Sequence, residues 1–121
     1  GLDYNRHITP RDVQQKIFHE QLLLAAGVQK PLFLHCREAH DDLMRHLSSV
    51  PNLPPVIVHC FTGTRGELED YIAAGYYVGI TGWICDERRG TALQQPPETF
   101  PLTWIQLPKA GATSRPSCPI S

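Results

Sequence analysis

Two short apolar runs, Pro31 to His35 (PLFLH) and Pro55 to Cys60 (PVIVHC), lead into the same dipeptide, His35-Cys36 and His59-Cys60. Runs so short and so nearly free of polar residues offer no face to water. They read as strands covered on both sides, which is the setting of a parallel sheet. Parallel strands need a crossover, usually a helix. The intervening sequence supplies one: Ala39, Leu43, Met44 and Leu47 recur at helical spacing, and Pro51 disfavours helical geometry in the residue before it. Asn52 to Pro54 then reads as loop.

The same alternation extends to either side. Upstream, Thr9 can cap a helix, Pro10 suits its first position, Asp12 complements the positive end of its dipole, and Gly27 is placed to end it. Val13, Ile17 and Leu24 share one side of this helix, with Phe18, Leu22 and Ala25 close beside them, a face expected to pack on a sheet. Downstream, Leu68, Tyr71 and Ile72 mark a short helix, Gly75 its stop, and Tyr76 to Thr81 a third strand. Strand and helix in alternation give an α/β fold class. Residues 91 to 121 differ: they hold six of the eleven prolines and no apolar period, so no regular structure is expected there.

Composition sets outer limits on function. Eleven basic residues against twelve acidic ones give a formal charge of −1, so no overall field draws in nucleic acid or an anionic surface, and any phosphate binding must be local. No apolar run approaches the ~20 residues that span a bilayer, and no leader pattern opens the chain, which predicts a cytoplasmic protein without membrane contact. The cysteines Cys36, Cys60, Cys85 and Cys118 are widely spaced and lack the close pairs of a zinc ribbon or disulfide framework. Reduced, structural thiols are the expectation.

In α/β folds the carboxyl ends of the strands host active sites, and His35 and His59 both fall there. Side chains alternate along a strand, so each histidine and its neighbouring cysteine point opposite ways, which disfavours a His2Cys2 zinc site. The two histidines can instead project from one edge and share a cation, carboxylates elsewhere completing the shell. The plainer alternative makes each a satisfied ring at a strand end. His40 and His46 on the middle helix, and His7 and His19 before it, suit solvated or capping roles. Arg88 and Arg89 follow the third strand within Asp86 to Gly90, and Arg37 and Arg65 sit beside the other two strand ends. Their forked guanidinium groups suit phosphate, although singly each also suits a surface ion pair.

The segments GLDYNR, PLFLHCREAH, VIVHCFTGT and YYVGITGWICDERRG, in this order over residues 1 to 90, resemble successive signatures of the bacterial TatD family. A chain of long motifs is far more specific than two histidines. The resemblance implies a metal-dependent TIM barrel of the amidohydrolase-like kind, acting as a nuclease that trims single-stranded DNA or RNA from the 3′ end, in the setting of DNA repair. It implies Mg2+ as cofactor, with Mn2+ or Zn2+ better suited to imidazole ligands. If the chain folds, a monomer is the expectation. Carried over by motif, His35 and His59 correspond to family metal ligands. The family's early His-x-His pair, the glutamate ahead of GLD and the aspartate of its Thr-Asp-Ala-Pro motif have no counterpart in this sequence.

A barrel takes ~250 residues, so the expectation is a partial barrel of about half, residues 1–90, followed by an irregular proline-rich tail, residues 91–121. Two other readings follow from the missing ligands: a catalytically inactive fragment or pseudogene product, and an α/β module that binds phosphate without cleaving it. The abrupt change of character near residue 91 suggests a frameshift. Translating the coding DNA in its other two frames should then recover family-like sequence beyond that point, and its absence from both frames would sink the idea.

Overall fold

The computed structural model describes residues 1–6, 8–81 and 105–106. Its elements are β1 (Leu2–Asp3), α1 (Arg11–Val28), β2 (Leu32–Leu34), β3 (Cys36–Arg37), α2 (His40–Ser49), β4 (Val56–Val58), α3 (Arg65–Ala73), β5 (Tyr77–Ile80) and β6 (Ile105–Gln106). Every strand pairing is parallel: β1 with β3, and β2, β4, β5 and β6 side by side in that order. Only His35 separates β2 from β3, so the strands lie next to one another in chain order, with α1, α2 and α3 serving as the crossovers between the first four. The α/β expectation is met.

The sheet's inward residues Leu2, Leu34, Val56, Val58, Val78 and Ile80 are buried against Phe18 and Leu22 of α1, Leu43 and Leu47 of α2, and Leu68 and Tyr71 of α3. The helix faces chosen by the sequence hold for α2 and α3 and need correction for α1. There Phe18, Leu22 and Ala25 carry the contact, whereas Val13, Ile17 and Leu24 are exposed. An amphipathic pattern locates an apolar stripe but not which part of a wide stripe the sheet covers. Phe33 is likewise exposed, so β2 is covered on one face only.

The ends of α1 also differ from expectation. Pro10 occupies the cap position with no side-chain cap, Gly27 lies inside the helix, and the chain leaves through Gln29 in the left-handed region at φ 55°. Gln29 tolerates this because its side-chain amide donates to the carbonyls of Ala26 and Asn52, tying the helix end to the loop before β4. For α2, termination before Pro51 is as expected. At α3 a capping box that the sequence reading passed over sets the start: Thr64 accepts from the Glu67 N–H, and the Glu67 carboxylate accepts from the Thr64 N–H. Gly75, at φ +78°, closes the helix as expected. The short strand β6, in the stretch read as irregular, pairs Gly79 with Ile105 and Ile80 with Gln106.

Leucines two positions apart in α1 therefore have very different energetic weights. Leu22→Ala, at a fully buried site, should lower unfolding free energy by about 2–5 kcal/mol, and Leu24→Ala, at an exposed one, by no more than about 0.5 kcal/mol. Urea denaturation of both variants checks this, and equal losses would reverse the assignment of the faces.

Candidate functional site

Register places the histidines. Leu34 pairs with Val58, and the ladder continues beyond the strands as His59 N–H donates to the Leu34 carbonyl at 2.9 Å. On the other side Leu2 N–H donates to the His35 carbonyl at 2.9 Å. His35 and His59 thus stand next to each other at the carboxyl edge, ring centroids 5.7 Å apart and planes tilted by 46°. The residue after His35 turns inward, as alternation requires, Cys36 packing against the core while the His35 ring is exposed; the Cys60 thiol lies 3.6 Å from the Thr81 hydroxyl. Cys36 and Cys60 are free thiols. Burial pushes the Cys36 thiol up, away from thiolate chemistry.

The strand exits are sharply bent. Glu38 and Cys60 adopt left-handed backbone geometry, φ 53° and 51°, a conformation that costs non-glycine residues energy and is tolerated where the surroundings hold it. Asn5 supplies part of that hold, its side-chain amide donating to the Glu38 carboxylate at 2.6 Å. Gly1 packs directly on the His35 backbone, where any side chain would collide with the His35 carbonyl.

His59 is sandwiched in sequence-distant company: the Phe33 ring stacks on it at 4.6 Å, 14° from parallel. Burial first, and then the nearby His35 and amino terminus, push its pKa below the usual histidine value. A neutral imidazole keeps a lone pair for ligation. His35 instead meets a carboxylate, its Nε2 lying 2.9 Å from Asp3 Oδ2. Burial alone would raise the Asp3 carboxyl, but bonds from His35 and from the Arg6 and Asn5 N–H groups outweigh it and leave its pKa lowered.

Asp3 was absent from the residues singled out by sequence. The usable signal was that Leu2-Asp3 is itself the end of a strand, but two residues are too few to show a period. An open pocket of about 530 Å³ lies beside this pair, lined by Asp3, Arg6, Ile8, Thr9, Gln14 and His35. Its wall is braced from behind. Tyr4 donates to Asp42 at 2.7 Å, Gln15 donates to both, and Arg45 bonds Gln15 and Asp42 at 2.8 and 2.7 Å, tying the exit of β1 to α1 and α2.

The remaining expected residues divide. Arg37 is exposed at the end of β3, beside His35. Arg65 bonds Glu69 within α3 at 2.9 Å, the surface ion pair that the sequence left as its alternative. Arg88, Arg89, His7, Cys85 and Cys118 lie outside the described residues. His40 faces Asp70 at 3.0 Å and packs edge-on against Tyr71, and His19 and His46 sit 5.6 Å apart on neighbouring helices. The donor chemistry at the edge, two imidazoles with a carboxylate against one of them, suits a divalent cation. Among the described residues no group of three or more such side chains gathers around one point.

The model of the TatD related DNase family matches residues 1–105. The chain belongs to the TatD related DNase family. The match runs past residue 90 and ends at the first residue of β6. Among named proteins, the chain is 54% identical over 96 residues to the 3′-5′ ssDNA/RNA exonuclease TatD of Erwinia billingiae, covering 78% of this chain and 37% of that one. It is 47% identical over 96 residues to the protein of that name from Escherichia coli K12, with the same coverage of each. The chain thus spans little more than a third of the length of these relatives. An uncharacterized amidohydrolase from Saccharomyces cerevisiae shares the fold, with a TM-score of 0.59 and 24% identity over 68% of this chain and 32% of that one.

The lowered pKa of His59 has a defined sign. Because the native state holds the proton less tightly than the unfolded chain, stability is complete above the unfolded value of about 6.5 and declines as pH falls through the native pKa. NMR titration should place the His59 midpoint below that value, and a midpoint above it would contradict the buried, neutral ring.

Proposed function

We propose that this chain carries part of a metal-dependent phosphodiesterase centre, and that the protein to which it belongs trims single-stranded DNA or RNA from the 3′ end. The observation that carries this reading is the placing of His35 and His59 side by side at the carboxyl edge of a parallel sheet. It is supported by the names of relatives about half identical over the same span. On this reading residues 1–90 form about half of a TIM barrel, with β1, the nearly continuous β2 and β3, β4 and β5 as consecutive staves of its wall, and β6 the next stave beyond residue 90.

His35 and His59 are the proposed imidazole ligands, for Mg2+ in the complete shell or for Mn2+ or Zn2+ at a site rich in nitrogen. When bound, the cation supplies an activated water and offsets charge that builds on the phosphoryl oxygens. The protein's own groups do the rest. Stacking on Phe33 fixes the His59 ring, and burial keeps it neutral and able to donate its lone pair. Arg37, exposed next to His35, and Arg6, in the pocket wall, are positioned to hold backbone phosphates by charge-assisted hydrogen bonds. Arg65 serves this purpose only by leaving Glu69, an exposed pair worth little. Arg88 and Arg89 are proposed as further phosphate contacts on sequence grounds alone.

Hydrolysis of a labelled single-stranded oligonucleotide decides the matter. With Mn2+ or Mg2+, cleavage from the 3′ end is expected, falling to background with EDTA and in the double variant His35→Ala, His59→Ala. Cleavage that survives both treatments, or a folded protein that binds the strand but never cuts it, would overturn this reading, the latter in favour of a phosphate-binding module.

A further inference from the structure

The two oxygens of the Asp3 carboxylate have different partners. Oδ1 accepts from the backbone N–H groups of Asn5 at 3.0 Å and Arg6 at 3.1 Å, and Oδ2 meets His35 Nε2 at 2.9 Å. The Arg6 guanidinium lies 3.7 Å from Oδ2 on the solvent side. The Asp3 main chain is held as firmly: its N–H donates to Gln14 Oε1, and its carbonyl accepts from Gln14 Nε2, each at 2.9 Å. A carboxylate fixed at both ends cannot turn to suit the imidazole, so the imidazole must suit it. An ionised carboxylate only accepts hydrogen bonds, and the ring hydrogen that faces it therefore belongs on Nε2.

We propose that Asp3 is a positioning residue that sets the tautomer of His35: Nε2 donates to Asp3, leaving Nδ1 as the unprotonated nitrogen through which His35 takes a cation. This rests on the reading of His35 as a metal ligand given above. A carboxylate behind a ligating histidine fixes the ring and raises the basicity of the opposite nitrogen. The role requires Asp3 to touch neither cation nor substrate, and it gives the GLD segment a chemical purpose in addition to its place in the sheet.

Asp3→Asn is a discriminating variant because of how the two oxygens are used. Its Oδ1 keeps the Asn5 and Arg6 N–H bonds, so the turn is retained. Its Nδ2 then faces His35 with hydrogens where an acceptor had been. The imidazole must offer the lone pair of Nε2 and carry its proton on Nδ1, the nitrogen now closed to a cation.

The full chain, isotope-labelled on its histidine nitrogens and kept metal-free at slightly alkaline pH, reports the tautomer directly by long-range nitrogen-proton NMR, and calorimetry with Zn2+ reports ligation. The wild type is expected to show His35 with hydrogen on Nε2 and Asp3→Asn with hydrogen on Nδ1. Zn2+ affinity should fall roughly tenfold or more in the variant, with an unchanged circular dichroism spectrum. A wild-type His35 protonated on Nδ1 overturns the proposal without any variant. So does Asp3→Asn that retains the Nε2 hydrogen, or that switches tautomer at unchanged Zn2+ affinity. A wild type that shows the expected tautomer and the expected switch but takes up no Zn2+ upholds the control of His35 by Asp3 and removes the metal reading on its own.

Discussion

Pairing of Leu34 with Val58, continued by the bond from the His59 N–H to the Leu34 carbonyl, sets His35 and His59 at one height on neighbouring strands, and the rest of the site is arranged around that fact. Side-chain direction alternates with a period of two, so a slip of one residue would turn Val56 and Val58 outward and send one imidazole into the core. The buried valines and leucines therefore hold the register that the chemistry needs. Stability and site geometry share one cause here: the same apolar runs that fill the core end in the residues that leave it.

A second layer of contacts fixes the loops. Tyr4 is buried, yet its hydroxyl reaches Asp42 and Gln15, so one side chain spans the exit of β1 and the facing surfaces of α1 and α2. Bonds from Arg45 and Tyr4 hold the Asp42 carboxyl below the usual carboxylate range, so it stays an acceptor for both. The Arg11 guanidinium lies over the Tyr4 ring at 4.5 Å and covers the same corner from solvent. With the backbone bent at Glu38 and Cys60, this frame gives the strand ends little room to rearrange.

The sheet and the histidine pair were legible in the sequence because both rest on local patterns: a run of apolar residues, a proline, a repeated dipeptide. The opposite directions of Cys36 and His35 followed from alternation alone. What escaped depends on contacts between distant residues. Asp3 meets His35 across 32 positions, and Phe33 meets His59 across a strand pairing; neither leaves a period to detect. The covered side of α1 escaped for a related reason. Val13, Ile17 and Leu24 are as apolar as Phe18 and Leu22, and only the position of the sheet tells them apart. The end of α1 at Gln29 instead of Gly27 was hidden because side-chain bonds to Ala26 and Asn52 offset a backbone preference.

Gln14 has a consequence of a different kind. Its side-chain amide engages the main chain of Asp3 on both sides, Oε1 accepting from the Asp3 N–H and Nε2 donating to the Asp3 carbonyl, while Nε2 also donates to the Thr9 carbonyl. That is how a peptide group of an adjoining strand would bind. A side chain anchored on α1 thus does for the end of β1 what a rung of a sheet ladder does. The main chain of Asp3 is held by its own neighbours in the fold, so its carboxylate reaches His35 from a fixed base. Position at the strand end is set by a helix as much as by the sheet.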